Sequence, residues 1–179
     1  MRKLLICARL LAMILGSMLV VLLVRTALDH RTINLSSTEH LSARQIEKQL
    51  TCLTKNIYWE AANEPFEGKV AVAQVTLNRV DSGKFADSVC GVVYQKNTFN
   101  SKTVCQFSWF CENNHMVRTV HSKLYKESEE IAKMVLLEGF RLPNIKEAIY
   151  YHADYVNPRW NKPRITQIGR HIFYRENAI

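Results

Sequence analysis

Glu60 stands where a carboxylate is hard to keep ionised. From Leu50 to Ala61 the apolar residues Leu50, Leu53, Ile57 and Ala61 recur at the three-and-four spacing of a helix with one buried face. Glu60 falls on that stripe, three residues after Ile57 and seven after Leu53, with the bulk of Tyr58 and Trp59 beside it. Burial disfavours the ionised form, so a glutamate in this place holds its proton to higher pH than a free one. A carboxyl protonated at neutral pH can act as a general acid, the first requirement for breaking a glycosidic bond. The plainer arrangement is a partly exposed helix glutamate paired with Lys55 or an arginine. Other residue types suit less of the chemistry. No histidine or cysteine shows a standard zinc-ligand spacing, so no metal is expected.

The elements that must position Glu60 are readable around it. Ser42 is expected to cap a helix from Gln45 to about Ala62, which Asn63-Glu64-Pro65 ends, because the residue before proline avoids helical geometry. Pro65 suits the first turn of a second helix reaching about Val80, with Gly83 terminating it. Val70, Ala71, Val72, Ala73, Val75, Leu77 and Val80 make that helix apolar almost all round, the pattern of a central buried helix. Gln74 and Asn78 share one of its faces, and as buried amides they need partners, in a sugar site or in neighbouring loops. Asp87 or Ser88 caps a short helix through Val92, and 96–104 reads as a polar loop. Ser122 to Glu138 forms another helix, stopped by Gly139, with Glu127, Glu129 and Glu130 on a solvated face. Ala148 to Ala153 and His171 to Tyr174 are rich in aromatic and β-branched residues and are expected to be strands.

The chain has 179 residues, enough for one ordinary domain. Leu10 to Val24 holds only apolar residues plus Gly16 and Ser17, and Arg2, Lys3 and Arg9 precede it. This is an export signal with a basic flank. Val24-Arg25-Thr26-Ala27 is a poor cleavage site, which favours an uncleaved transmembrane anchor with the domain on the periplasmic or extracytoplasmic side; cleavage would make the protein secreted. The expected organisation is an anchor over 1–25, a polar linker over 26–44 and a catalytic domain over 45–179. The formal charge is +8, from 24 basic and 16 acidic residues. Removing Arg2, Lys3, Arg9 and Arg25 leaves 20 basic against 16 acidic, or +4 for the exported part. A mildly basic surface suits an anionic polymer such as peptidoglycan, or a membrane. Nucleic acid is disfavoured, because no dense basic-aromatic stripe appears. Of five cysteines Cys7 falls in the expected anchor over 1–25, and the other four, in an exported domain, read as two disulfides with three possible pairings. Cys105 and Cys111 are close enough to close a short loop, which leaves Cys52 for Cys90. A cysteine nucleophile working with His152 or His171 is the sharper alternative.

The run CLTKNIYWEAANEPFEGKVAVAQVTLNRV, Cys52 to Val80, resembles the core of the SleB/CwlJ-type cell-wall hydrolases, the spore-cortex-lytic family. Further matches follow in order: SVCGVVYQ from Ser88, CQFSW from Cys105, YYHADYVNPRW from Tyr150 and IGRHIFY from Ile168. The resemblance implies an α+β fold, a lysozyme/transglycosylase-like helical core with a small β element, and it places the catalytic glutamate at Glu60. Ala62 and Asn63 depart from the family pattern, which has arginine and glycine there. The implied activity is that of a lytic transglycosylase, in which one glutamate serves as acid and then base, without cofactor or second carboxylate. Muramidase or amidase activity on the same polymer, or a non-catalytic wall-binding module, are the alternatives. For a sugar groove, aromatics beside amides and hydroxyls are needed. The candidates are Tyr58, Gln74, Asn78, Gln106, Ser108, Trp109, Tyr151, His152 and Trp160, with Gln106 and Trp109 foremost because a disulfide turn would hold them. His152 and His171 could also orient the site.

Overall fold

The computed structural model describes residues 2–112 and 120–177, with side chains at 13, 15–26, 42–98, 100–112 and 120–177. In chain order the elements are α1 (Arg2–Ala61), α2 (Phe66–Asp81), α3 (Val89–Val93), β1 (Lys96–Phe99), β2 (Lys102–Cys105), α4 (Ser108–Cys111) and α5 (Ser122–Leu136). A 3-10 turn at Pro143–Ile145 and the strands β3 (Tyr150–Ala153), β4 (Arg164–Ile168) and β5 (His171–Tyr174) complete the chain. It divides into two compact units, Met1–Gln45 and Ile46–Ile179.

The first unit is helical. Ser42 therefore caps nothing, and the expected linker over 26–44 is helix: no glycine or proline lies between Gly16 and Pro65 to break the hydrogen-bond ladder. The side chains described between Met13 and Val24 are apolar and exposed, apart from Gly16 and Ser17. Among the described residues no helix is long and apolar enough to cross a membrane. The basic flank of Arg2, Lys3 and Arg9, and positions 10–12 and 14 of the apolar run, lie outside the described side chains.

The second unit is built around α2. Pro65 precedes this helix with extended backbone, and Gly83 beyond its end has φ +64°, a conformation that costs glycine little. Val70, Ala73 and Leu77 face one cluster, formed with Leu53 and Ile57 of α1, Val89, Val92 and Val93 of α3 and Ile131, Ala132 and Val135 of α5. Ala71 and Val75 face a second cluster with Ile145, Ala148 and Phe173. One helix with two apolar faces thus joins a helical layer to the sheet, which explains why its sequence lacks a polar stripe. Lys69, almost buried on α2, is paired with Glu127 of α5 at 3.0 Å. That removes Glu127 from the freely solvated face.

The sheet order is β3-β5-β4, antiparallel throughout. The segment expected to be a loop at 96–104 is instead the hairpin β1–β2. Asn100 and Ser101 turn it with φ 47° and 65°, the pair of positive angles that suits a two-residue hairpin turn. Both disulfides form, Cys52–Cys90 between α1 and α3 and Cys105–Cys111 from β2 to α4.

Candidate active site

Glu60 sits in the last turn of α1, and the stripe that carries it packs as its spacing requires: Leu53, Ile57 and Ala61 are buried. Glu60 itself is half-buried and lines a cavity of about 570 Å³, together with Tyr58, Glu64, Tyr155, Arg170 and His171 among others. Its partner is neither Lys55 nor an arginine: the Tyr151 hydroxyl donates to Glu60 Oε2 at 2.9 Å. Burial, the largest influence, raises the pKa of Glu60, and nearby Glu112 adds to it. The Tyr151 hydrogen bond and the charge of Arg79 pull the other way. Burial and the neighbouring Glu60 also push the Tyr151 phenol well above its ordinary value, so Tyr151 remains a donor.

Strand parity decides which of the β3 residues reach Glu60. Tyr151 pairs with Phe173 and Ala153 with His171, so this set shares one face of the sheet. Tyr150 and His152 point to the other face, against Tyr174 and Trp160. His152 is held there by Tyr174 Oη and the carbonyl of Ala153, each at 2.9 Å. His152 and Trp160 are therefore not brought to the Glu60 cavity. His171 is brought to it. It lies edge-on to Tyr151 with ring centroids 5.0 Å apart, and burial lowers its pKa, which favours the neutral ring.

Other candidates are also redirected. Gln74 exchanges two hydrogen bonds with the backbone of Leu142, and the Asn78 amide donates to the carbonyls of Ile145 and Ala148. Both amides pin the segment before β3 onto α2, and neither lines the cavity of Glu60. Trp109 is buried and donates to Asn56 Oδ1 at 3.0 Å, while Asn56 donates to Thr76. The disulfide turn thus presents Trp109 to the core, where it stacks on Trp59. Gln106 and Ser108 flank it without lining the cavity. Tyr58 does line it, and its hydroxyl accepts from the backbone N–H of His121.

Two further carboxylates lie close by and are engaged. Glu64 lines the cavity, with Oε2 accepting from the Arg170 backbone N–H at 2.9 Å. This clamps the β4–β5 turn to the end of α1, and the fit is close: a Cβ on Gly169, whose φ is +55°, would lie 1.9 Å from Glu64 Oε2. Asp154 pairs with Arg170 Nη2 at 3.3 Å. The sequence reading missed Arg170 and Tyr155 in the cavity wall and Arg79 behind it. The signal for Arg79 is a cation in the last turn of a helix whose apolar residues point it to the core. Among the described residues no group of three or more His, Cys, Asp or Glu could hold a metal ion.

Comparison with known proteins gives the arrangement a lineage. Residues 63–174 match the model of the Cell Wall Hydrolase family; Glu60 lies three residues before that stretch. The spore cortex-lytic enzyme of Bacillus subtilis (strain 168) is 30% identical over 125 residues, 68% of this chain and 35% of that protein. Its counterpart in Halalkalibacterium halodurans is 26% identical over 144 residues, covering 78% of this chain and 38% of the relative. The chain thus spans well under half the length of these curated relatives. The crystal structure of the catalytic domain of the Bacillus cereus SleB protein superposes with a TM-score of 0.52 at 26% identity, covering 72% of this chain and 91% of that domain. The catalytic domain of the germination-specific lytic transglycosylase SleB from Bacillus anthracis gives the same TM-score at 27% identity, over 71% and 93%.

Proposed function

The chain belongs to the cell wall hydrolase family, and on that premise we propose that it is a lytic transglycosylase that cuts the bond between N-acetylmuramic acid and N-acetylglucosamine in peptidoglycan, with Glu60 as its one acid–base group. The observation that carries this reading is a carboxyl raised in pKa by burial, oriented by Tyr151 and lining a cavity whose other carboxylate, Glu64, is occupied by the Arg170 backbone. Tyr151 takes one oxygen of Glu60 and leaves the other to carry the proton.

Protonated Glu60 donates that proton to the bridging oxygen as the bond from the muramic C1 to that oxygen breaks. The muramic 6-hydroxyl oxygen bonds to C1, and its proton passes to the Glu60 carboxylate. The enzyme returns to its starting state, no water is consumed, and the new end is a 1,6-anhydro sugar. Intramolecular attack is favoured because the nucleophile is already tethered to the reacting centre. Glu60→Gln keeps the shape and the acceptor for Tyr151 but removes the proton. General acid–base catalysis contributes roughly 10²–10⁴-fold, so a folded Glu60→Gln protein should lose nearly all solubilisation of purified peptidoglycan. Near-normal activity in that variant would remove the proposal.

The exposed apolar side chains between Met13 and Val24, behind a basic flank, support a role for the N-terminal segment as a membrane anchor that leaves the catalytic unit on the wall side. Alkaline extraction of membranes tests this: an anchored protein stays in the pellet, and release into the supernatant contradicts it.

A further inference from the structure

Arg79 is a buried cation, 4% exposed, with no acidic side chain within ion-pair distance among the described residues. Its Nε donates to the carbonyl of Ile149 at 2.8 Å, and its buried Nη1 has no hydrogen-bond partner. The guanidinium lies among three rings, 4.9 Å from the centroid of Phe107, 5.3 Å from Phe85 and 5.8 Å from Tyr151. Cations gain from aromatic faces, but much less than a buried charge loses by leaving water. A side chain kept there at such a cost points to a use for the charge. Tyr151, on whose ring Arg79 rests, is the residue whose hydroxyl holds Glu60.

We propose that Arg79 is a positioning residue for the reaction at Glu60, its buried cation held behind Tyr151 so that the carboxylate formed on proton donation faces a fixed positive charge. This rests on the reading of Glu60 as the general acid. The reaction needs Glu60 in two forms in succession, an acid that gives its proton up and a base that takes one back. Burial alone favours the first, and a cation behind the carboxyl restores access to the second. Among the described residues, Glu64 and Arg170 line the same cavity, where Glu64 accepts from the Arg170 backbone N–H and the Arg170 guanidinium pairs with Asp154. Tyr151 from β3 donates a hydrogen bond, and Glu112 after α4 opposes ionisation. His171 from β5 packs on Tyr151, and Tyr58 of α1 is turned to the His121 backbone. Among the described residues Arg79 is the cation whose charge acts on Glu60 in favour of the carboxylate.

The test compares the full-length chain with Arg79→Met, Arg79→Gln and Arg79→Lys variants, using initial rates of peptidoglycan solubilisation across pH. The neutral variants should move the alkaline limb of the profile upward by about one pH unit, as loss of a facing charge does, and lower the maximal rate about tenfold. Lysine should return the limb toward its original place. Glutamine keeps a donor for the Ile149 carbonyl, so it carries the test if the methionine variant does not fold. The carboxyl titration of Glu60, followed by carbon NMR and assigned by its loss in Glu60→Gln, reads the same shift without turnover. An active Glu60→Gln protein would refute the general-acid reading, whereas the NMR titration judges Arg79 independently. Unmoved limb and titration in the folded neutral variants would overturn the inference, as would a lysine variant that behaves like glutamine.

Discussion

Removing the Cys52–Cys90 disulfide should destabilise the second unit, Ile46–Ile179, about twice as much as removing Cys105–Cys111. The first bridge joins residues 38 apart and the second residues 6 apart. The chain entropy that a cross-link takes from the unfolded state grows with the logarithm of the loop. These lengths correspond to about 4 kcal/mol and about 2 kcal/mol at room temperature. Total stability of a domain is about 5–15 kcal/mol, so the long-loop loss is a large share of it. For a unit of this size it corresponds to a fall in Tm of about 15 °C. Position adds to the consequence: Cys52 lies on α1 about two turns before Glu60, and Cys90 lies on α3, whose backbone N–H donates to Gln49 Oε1. The assay is thermal unfolding of full-length protein followed by circular dichroism, comparing Cys52→Ala/Cys90→Ala with Cys105→Ala/Cys111→Ala under oxidising conditions. Equal losses, or a larger loss from the short loop, would refute the chain-entropy reasoning.

The pKa of Glu60 is raised by folding, so its contribution to stability is fully present below the unfolded carboxyl pKa and is lost as pH rises through the folded value. Glutamine does not titrate, so denaturation midpoints of Glu60→Gln should overtake the parent as pH rises; a difference independent of pH would contradict this. Tyr151→Phe removes the donor that favours the Glu60 carboxylate. Its pH–rate profile should therefore extend to higher pH, and a profile that retreats to lower pH would count against the assignment. Gly169→Ala places a side chain at φ +55° and against Glu64, costing about 1–2 kcal/mol from the backbone alone. It should also release the Arg170 clamp, read as faster amide exchange at Arg170; unchanged exchange would show that the clamp does not depend on the missing Cβ.

Much of the scaffold was legible because local chemistry and packing agree. Helix α2 announced itself by apolar residues on every side, Ser88 by its capping position, and Gly83 and Gly139 by adopting positive φ where helices stop. The partial burial of Glu60 was legible because it falls on an apolar stripe. The hairpin β1–β2 was not, since its residues are largely polar and exposed and show no alternation against a core. Strand β4 was missed for a related reason, having polar residues between Ile165 and Ile168. Parity separated Tyr151 from His152: adjacent strand residues point to opposite faces, and the sequence does not say which face meets the end of α1. Gln74 and Asn78 were expected to need partners in a sugar site or in neighbouring loops, and the structure gives them backbone groups of 142–148, while Trp109, expected in the groove, donates to Asn56 in the core. Arg79 could not be placed without the sheet that brings Tyr151 across it.

Whether Glu60 works without a second carboxylate is decided by mass spectrometry of the fragments released from purified peptidoglycan. The muropeptides should end in 1,6-anhydro-muramic acid, lighter by one water than hydrolysis products. Reducing ends throughout would contradict it and would direct attention to Glu64, the other carboxylate in the cavity wall.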